Sequence, residues 1–259
     1  MSLRFSSLYA SAYDLLNEGK PYKDEIDFVQ DLHARYCGSA ENLRSVLDLG
    51  CGSGLHLSNI AEDVRKTGVD LSDSMLQVAR SRNIPKSEFI HSNIGDFLSS
   101  AKFDLIYSLF HVMSYQAEAS ELTNALLAMQ RNLEVGGLAV FDFWHRAAWD
   151  IDPPVTRMTT KIGSALEVKR ISSPKVDYVS GLVAIDMDIF IHEVGSEDDT
   201  YVHFSEHHDM RAYTLQELIF ASTLAGLHVV GSGPWMTTER ELTANDWYGW
   251  IALQKMSPA

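Results

Sequence analysis

Residues 45–54 read SVLDLGCGSG, a short apolar run that ends in glycines at every second position. The apolar run predicts a buried strand over Ser45–Leu49, and the apolar spacing over Leu55–Asp63 predicts a helix directly after it. The glycines between them are Gly50, Gly52 and Gly54. Glycine lets a backbone turn tightly and approach a ligand without side-chain obstruction, so we expect a ligand-binding turn here.

Strand and helix signals alternate along the rest of the first half of the chain. Further strands are predicted at Lys66–Asp70, Glu88–Ile90, Phe103–Leu109 and Leu138–Phe143, and helices at Ser72–Arg82 and Glu118–Leu133. Strands that alternate with helices predict a mostly parallel sheet with right-handed crossovers. The sequence therefore predicts the α/β class, with a Rossmann-like, mostly parallel seven-stranded sheet and helices on both of its faces.

The pattern changes to β-rich after Trp144. Strands are predicted within Val155–Val168, Lys175–Glu193 and Thr200–Tyr213, with turns at Ile162–Gly163, Ser172–Pro174 and Glu193–Asp199. A helix over Thr214–Ala225 and strands at Leu227–Val230 and Trp247–Leu253 follow. We accordingly divide the chain into a cofactor-binding core with an N-terminal helical cap (1–143), a β-rich substrate insert (144–213) and a return to the core (214–259). Ligands of open α/β sheets bind at the carboxyl ends of the strands, so this antiparallel insert is expected to lie over the active site.

Composition narrows the class of protein. Of the 259 residues, 46% are hydrophobic and 22% are charged, a balance typical of a soluble globular protein. Neither a secretory signal nor an apolar run long enough to span a membrane is present, so we predict a cytoplasmic protein without membrane association. The formal charge of −14, without a Lys/Arg cluster, argues against nucleic acid as a partner. Cys37 and Cys51 have no disulfide or zinc-ligand spacing, so no metal site is predicted.

An acid stands at the end of the second predicted strand, twenty residues after Gly50. In this topology Asp70 can accept hydrogen bonds from both hydroxyls of an adenosine ribose. The alternatives are a simple tight turn at the glycines and a capping or surface role for the aspartate. Strand context, alternating glycines and the spacing of the acid together favour nucleoside binding.

These residues resemble those of class I S-adenosylmethionine-dependent methyltransferases, whose first motif is acid-x-Gly-x-Gly-x-Gly. Dinucleotide dehydrogenases carry G-x-G-x-x-G instead, and here the third glycine is Gly54 while position 55 is Leu55. The resemblance implies S-adenosyl-L-methionine as cofactor and a set of cofactor-binding residues. That set is Tyr13, Asp48, Gly50, Cys51, Gly52, Gly54, Asp70, Leu71, Met75, Asn93, Ile94 and Leu109. Many members carry aspartate where Asn93 stands, and the asparagine amide oxygen can still accept a hydrogen bond from adenine.

A narrower resemblance is to the sugar N-methyltransferases that act on nucleotide-linked amino-deoxysugars. It rests on Tyr13–Leu15 with Gly19–Lys20, on Gly54–Leu57, on Phe110–Tyr115, on the insert and on the histidine-bearing strand before Thr214. It implies a small-molecule substrate, methylated at an amine. This chain departs from the family at Tyr115 and Tyr248, which we align with a pocket histidine and a C-terminal arginine. An O- or N-methyltransferase of another small metabolite, and a non-catalytic S-adenosylmethionine-binding protein, stay open as alternatives.

Methyl transfer from a sulfonium needs mainly alignment and the exclusion of water. An amine acceptor must also arrive neutral, so a nearby group has to take its proton. His145 and Asp142, at the end of the fifth strand, are candidate catalytic residues, with a loop histidine as the alternative. Tyr115 is the third candidate, because its phenol can orient an acceptor; a surface tyrosine is the alternative.

Aromatic residues supply the candidate substrate pocket. Tyr9 and Tyr13 can close over the sulfonium, or can simply pack a helix. Trp144, Trp149, Trp247 and Trp250 can build a pocket wall or belong to the core. We assign Tyr9, Trp144 and Tyr248 to substrate binding, and expect His56 and His111 to be structural. A homodimer is an open possibility for the assembly.

Overall fold

The fold is described from a computed structural model that covers residues 7–38, 43–196 and 200–257, with backbone alone for residues 7–11. The helices are α1 (Ser7–Leu16), α2 (Tyr22–Cys37), α3 (Asp73–Ser81), α4 (Ala119–Asn132) and α5 (Leu215–Leu224). The strands are β1 (Ser45–Leu49), β2 (Arg65–Asp70), β3 (Ser87–His91), β4 (Phe103–Ser108), β5 (Leu133–Trp144), β6 (Arg157–Ile162), β7 (Leu166–Asp177), β8 (Leu182–Glu193), β9 (Val202–Arg211), β10 (His228–Pro234) and β11 (Tyr248–Gln254).

The central sheet has seven strands in the order β10-β11-β5-β4-β1-β2-β3. All pairs from β5 to β3 are parallel, and β11 pairs antiparallel with both β5 and β10. Apolar side chains of α4 and α5 pack on one face of the sheet, and those of α2 and α3 pack on the other. The predicted mostly parallel seven-stranded sheet with helices on both faces is confirmed. Its carboxyl edge is where β1, β2 and β4 all end.

The helix predicted over Leu55–Asp63 is wrong. The described chain has only a 3-10 turn over Leu57–Asn59 there. Side chains compete with the backbone for one carbonyl, since the Ser58 hydroxyl and the Asn59 amide both donate to Leu55 O. Such local bonds offer the backbone an alternative to a helix that is already short.

A separate antiparallel sheet has the order β6-β7-β8-β9. The turn predicted at Ser172–Pro174 is wrong, because β7 continues to Asp177 and the chain reverses after it. Proline lacks an N–H, yet Pro174 is tolerated because β6 pairs with β7 only as far as Ser172. Within the described residues, β7 is an edge on that side beyond this point, and an edge is where a sheet accepts proline.

The chain enters and leaves this smaller sheet at the same place. Tyr213 N–H donates to Trp144 O at 2.8 Å, and Arg146 N–H donates to Tyr213 O at 2.9 Å. His145 and Tyr213 form an isolated parallel bridge between these two hydrogen bonds. The two ends of the segment that carries the smaller sheet are therefore joined side by side at the end of β5.

Helix α1 is fastened to the turn after β1. The Ser53 hydroxyl donates to Asp14 Oδ1 at 2.7 Å. Arg82 forms an ion pair with the same carboxylate and donates to Ser53 O at 2.7 Å. The other side of α1 packs on the smaller sheet through Leu16 and Val168. Helix α1 thus bridges the two sheets along one side of the space between them. Over the described residues, no helix is long and apolar enough to span a membrane.

Candidate active site

A cavity of about 840 Å³ lies between the carboxyl edge of the central sheet and the inner face of the smaller sheet. The residues predicted for the site that line it are Tyr13, Gly50, Cys51, Gly52, Asp70, Leu71, Met75, Asn93, Ile94, Leu109, Tyr115, Trp144 and Tyr248. The structure therefore brings most of the predicted site residues together. Asp48, Gly54, Asp142 and His145 do not line the cavity, and the side chain of Tyr9 lies outside the described part of the structure.

The glycine turn has a backbone that side chains rarely allow. Gly50, Gly52 and Gly54 have φ values of +86°, +51° and +78°. Gly50 has no room for a side chain either, because a Cβ there would lie 2.5 Å from both methyl carbons of Val112. Glycine is therefore required at this position by conformation and by close approach. Gly54 instead permits tight packing of the turn against Ala79, at 3.1 Å from an added Cβ.

Asp70 connects the ends of β1 and β2. Its Oδ2 accepts the Gly52 N–H and its Oδ1 accepts the Ser72 N–H, each at 2.8 Å. Burial raises the pKa of this carboxyl, although the N–H groups of Ser72 and Gly52 act in the opposite direction. Each carboxylate oxygen has a second lone pair, and Asp70 lines the cavity, so the free acceptor sites suit the two hydroxyls of a ribose.

The surroundings of Asp70 fit an adenosyl group. Leu71, Met75 and Ile94 provide apolar surface beside the acid. Asn93 Oδ1 already accepts the Gly95 N–H at 2.9 Å, which leaves one lone pair on that oxygen. An apolar slot with few oriented polar groups is the usual form of a cofactor site. These residues can hold the adenosine end of S-adenosylmethionine.

Asp48 is a buried acid in β1, two residues before Gly50. Its side chain is 1% exposed. Burial raises its pKa well above the ordinary range of aspartate, the neighbouring Asp70 raises it further, and the Tyr107 phenol offsets only part of this. The folded protein therefore keeps a proton on Asp48 at pH values at which the unfolded chain releases it.

This predicts an unusual pH dependence for the cofactor-free protein. The stability contributed by the protonated carboxyl is complete below the ordinary aspartate pKa and is lost as the pH rises through the raised folded pKa. Between about pH 5 and about pH 9, the free energy of unfolding of the wild type should fall relative to that of Asp48→Asn. Urea unfolding at several pH values measures the difference. Asp63→Asn, at an exposed position, is the control. If the free energies of unfolding of the wild type and of Asp48→Asn change with pH in parallel, the raised pKa of Asp48 is refuted.

Asp142 and His145 lie near the cavity but do not line it. Asp142 Oδ1 accepts the His111 N–H at 2.9 Å, and its Oδ2 lies 2.8 Å from His111 Nδ1. His145 Nδ1 lies 3.2 Å from Asp246 O, and the His145 N–H donates to Trp247 O. Burial lowers the pKa of His145, against the opposing effect of Asp246 O. Asp142 holds the loop after β4, and His145 belongs to the junction of the two sheets.

The loop after β4 has a conformation that the sequence did not reveal. Phe110 and His111 both have positive φ, at +66° and +63°. His111, for which we expected a structural role, lines the cavity and stacks on Tyr248 with ring centroids 4.6 Å apart. Consecutive left-handed residues other than glycine are costly, and the Asp142 hydrogen bond fixes this pair. No residue pattern in the sequence signals such a conformation.

The far end of the cavity is formed by the inner face of the smaller sheet. Arg157 and Thr159 of β6 lie beside Arg170 and Ser172 of β7, and all four line the cavity. Sequence reasoning missed these residues. Strand alternation places Arg157 and Thr159 on one face, but only the register shows which face meets the cavity.

Two of the four candidate pocket tryptophans line the cavity. Trp144 and Trp247 lie on its wall. Trp149 and Trp250 are each 1% exposed and belong to the apolar cores. The sequence left both outcomes open for each of them.

One comparison with known proteins concerns the central part of the chain. Residues 46–137 match the model of a methyltransferase domain. They extend from β1, just before the glycine turn, into β5. The matched region therefore contains all of the predicted cofactor-binding residues except Tyr13.

The similarity to one curated relative covers most of the chain. The chain is 27% identical over 229 residues to the dTDP-3-amino-3,6-dideoxy-α-D-glucopyranose N,N-dimethyltransferase of Streptomyces fradiae, covering 87% of this chain and 86% of that one. It is 33% identical over 139 residues to the dTDP-3-amino-3,4,6-trideoxy-α-D-glucopyranose N,N-dimethyltransferase of Streptomyces venezuelae, covering 52% of this chain and 57% of that one. The solved structure of DesVI from Streptomyces venezuelae has the same fold, with a TM-score of 0.78 at 24% identity over 95% of this chain and 98% of that one.

Proposed function

Since this chain is an S-adenosylmethionine-dependent methyltransferase of the class I fold, we propose that its acceptor is the amine of a nucleotide-linked amino sugar. Two relatives are named for methylating amino groups of dTDP-linked sugars. Our sequence-based resemblance to sugar N-methyltransferases is in keeping with those names. The cytoplasmic location and a homodimeric assembly stay predictions, as do the division into 1–143, 144–213 and 214–259 and the roles of the individual site residues.

One observation carries the proposal. The cavity continues from the glycine turn and Asp70 to the inner face of the smaller sheet, where Arg157 and Arg170 stand. The chain as a whole is strongly acidic, with a formal charge of −14. Two arginines at one end of a cavity therefore stand out as a local basic surface, and guanidinium groups bind phosphates in a bidentate manner.

The residues between these ends arrange the reaction. Bound S-adenosylmethionine supplies a methyl group that is already activated for displacement by an amine. Asp70 and the glycine turn hold the adenosine end, and the arginines hold the acceptor's diphosphate. Tyr13, Trp144 and Tyr248 line the space between, where aromatic faces exclude water and suit a sulfonium. The protein's contribution is mainly alignment of the two reactants.

The alternatives differ in what they bind. A nicotinamide oxidoreductase is disfavoured by the glycine register and by the methyltransferase domain at 46–137. A non-catalytic protein would bind S-adenosylhomocysteine without transferring methyl groups. A methyltransferase for another metabolite would bind the cofactor but discriminate against dTDP-linked amino sugars.

Two assays on the full chain test the proposal. Calorimetry should show micromolar binding of S-adenosylhomocysteine, and mass spectrometry should show methylation of dTDP-3-amino-3,6-dideoxy-α-D-glucopyranose. The same amino sugar without its nucleotide should react poorly. Binding without transfer to any amine or hydroxyl acceptor would support the non-catalytic alternative, and equal rates with and without the nucleotide would exclude a nucleotide-linked acceptor.

The basic end of the cavity makes a specific prediction. Arg157→Gln should raise the KM for the dTDP-linked sugar about 10- to 150-fold, because one charge-assisted phosphate contact is worth roughly 1.5–3 kcal/mol. The Kd of S-adenosylhomocysteine should not change, since Arg157 belongs to the smaller sheet and not to the glycine turn or the strand that carries Asp70. Lys175→Gln removes the same charge from another strand of this sheet, where Lys175 pairs with Asp186. An equal rise in KM for both variants would show a general charge effect in place of a phosphate contact.

A further inference from the structure

Three polar side chains form a row beside the middle of the cavity. Tyr115, at the end of the 3-10 turn Val112–Tyr115, lines the cavity. Its phenol oxygen lies 3.1 Å from Nδ1 of His208 on β9. Nε2 of His208 lies 3.3 Å from Oε2 of Glu206, two residues earlier on the same strand. We call Tyr115, His208 and Glu206 the polar triad.

The two inner members of the polar triad are buried although both can carry a charge. The side chains of His208 and Glu206 are each 1% exposed. Burying such groups is costly, and an apolar pair of similar volume often stabilises a fold equally well. The neighbouring positions Ile185 and Met210 on this face are indeed apolar. A chemical role therefore explains the burial of His208 and Glu206 better than a contribution to core packing does.

The hydrogen bond between Tyr115 and His208 can run in either direction, because a phenol both donates and accepts and the imidazole has two tautomers. We take the tautomer in which the Tyr115 O–H donates to Nδ1 of His208. The imidazole proton is then on Nε2, which lies 3.3 Å from Oε2 of Glu206. In this arrangement the imidazole is ready to take a proton at Nδ1, and the carboxylate stabilises the imidazolium that results.

We propose that Tyr115 is the group that takes the proton from the acceptor's amine, with His208 and Glu206 as positioning residues behind it. This inference rests on the proposed amine acceptor. The sequence analysis selected Tyr115 as an acceptor-orienting residue, but it placed proton transfer on His145 and Asp142, which do not line the cavity. In the polar triad, Tyr115 lines the cavity, and its phenol contacts the buried imidazole of His208, which can hold a proton.

The proton and electron balance of the step is simple. An ammonium group of the acceptor gives one proton to the phenol oxygen of Tyr115, as the phenol's own proton moves to Nδ1 of His208. The amine lone pair that this frees forms the bond to the methyl carbon, while the carbon–sulfur bond breaks and its electron pair stays on sulfur. The imidazolium then releases its proton to solvent through the same phenol.

Other charged groups around the polar triad are kept constant in the test. Those that line the same cavity are Asp70, Glu121, Asp152, Arg157 and Arg170. Arg211 of β9 donates to Ala117 O, close to Tyr115. His207, between the two inner members in sequence, faces the opposite side and lies 2.6 Å from Asp186.

The first test is the pH dependence of methyl transfer to dTDP-3-amino-3,6-dideoxy-α-D-glucopyranose. Tyr115→Phe and His208→Gln should lower kcat about 100-fold near pH 7, the usual size of general base catalysis, and recover to within about 5-fold near pH 9.5, where solvent deprotonates the amine. Glu206→Gln should lie between them and the wild type. The KM for the sugar and the Kd of S-adenosylhomocysteine should change little.

The control is His207→Gln, which should match the wild type. A loss that is equal at all pH values, or a change confined to KM, would overturn the proton-transfer role. If His208→Gln fails to fold, Tyr115→Phe still tests the proposal, because it removes one hydroxyl at the cavity surface.

The second test does not depend on the acceptor. Nitrogen-15 NMR of the imidazoles, with the His208 signals assigned by their absence in His208→Gln, should show a proton on Nε2 and an unprotonated Nδ1. Tyr115→Phe should shift the Nδ1 resonance. A proton on Nδ1 would overturn the inference whatever the substrate is, whereas correct NMR with no methylation of the amino sugar would count against the proposed acceptor alone.

Discussion

Asp70→Asn is expected to weaken the binding of S-adenosylhomocysteine at least about 100-fold. Both oxygens of Asp70 accept backbone N–H groups, from Gly52 and Ser72. An amide NH₂ must face one of these donors, so a backbone hydrogen bond and an acceptor for ribose are lost together. Two charge-assisted hydrogen bonds at roughly 1.5–3 kcal/mol each give this factor, and calorimetry measures it.

A matched control is available three residues further on. The Asp73 side chain is 64% exposed and lies 3.4 Å from His91 Nδ1. Asp73→Asn removes the same charge three residues away, at an exposed position, and should leave the Kd within about 2-fold, as expected for an exposed ion pair. Similar losses in both variants would mean that Asp70 acts through overall charge and not through its hydrogen bonds.

Gly50→Ala is expected to destabilise the protein and to remove cofactor binding in one step. The methyl group would stand 2.5 Å from two carbons of Val112, on a backbone with φ of +86°. Left-handed strain of about 1–2 kcal/mol adds to overpacking of about 1–3 kcal/mol, so the free energy of unfolding should fall by roughly 2–5 kcal/mol. Val112 also lines the cavity, so any shift that relieves the clash deforms the site.

Gly136→Ala separates the effect of left-handed backbone strain from that of overpacking against Val112. Gly136 has a φ of +82°, and an added Cβ would meet nothing within 4 Å. Its variant should lose only the strain contribution, about 1–2 kcal/mol, and should keep the Kd of S-adenosylhomocysteine. Urea unfolding and calorimetry on both variants give the comparison. Equal destabilisation would show that the contact with Val112 adds nothing.

Local sequence signals predicted the central sheet because they act over a few residues. Buried strands such as Ser45–Leu49 are continuous apolar runs, and helix starts such as Thr214 carry a complete capping box. The errors arose where side chains or missing neighbours decided the outcome. In Leu55–Asp63, two side chains donate hydrogen bonds to the Leu55 carbonyl, and the predicted helix does not form. Pro174 is accepted within β7 because the pairing of β7 with β6 stops at Ser172.

The donor end of the site was more predictable than the acceptor end for a similar reason. Gly50, Gly52 and Asp70 come together through one strand, one turn and the next strand, so their spacing in sequence fixes their positions. The acceptor end depends on Arg157, which lines the cavity with Tyr115, and on the contact of Tyr115 with His208. These positions follow from the register of the smaller sheet and from its placement over the cavity. Sequence spacing contains neither quantity.

The side-by-side junction at Trp144 and Tyr213 affects how such a protein can diversify. Because the segment between them begins and ends at neighbouring points, its length and content can vary without altering the separation of its attachment points. Lengthening a closed loop costs little entropy, about 0.6 kcal/mol for each doubling. Acceptor specificity can therefore change by exchange of the segment between Trp144 and Tyr213, while the part of the molecule that binds the methyl donor keeps its geometry. A chimera joined at these two residues is the natural starting point for changing the acceptor of such an enzyme.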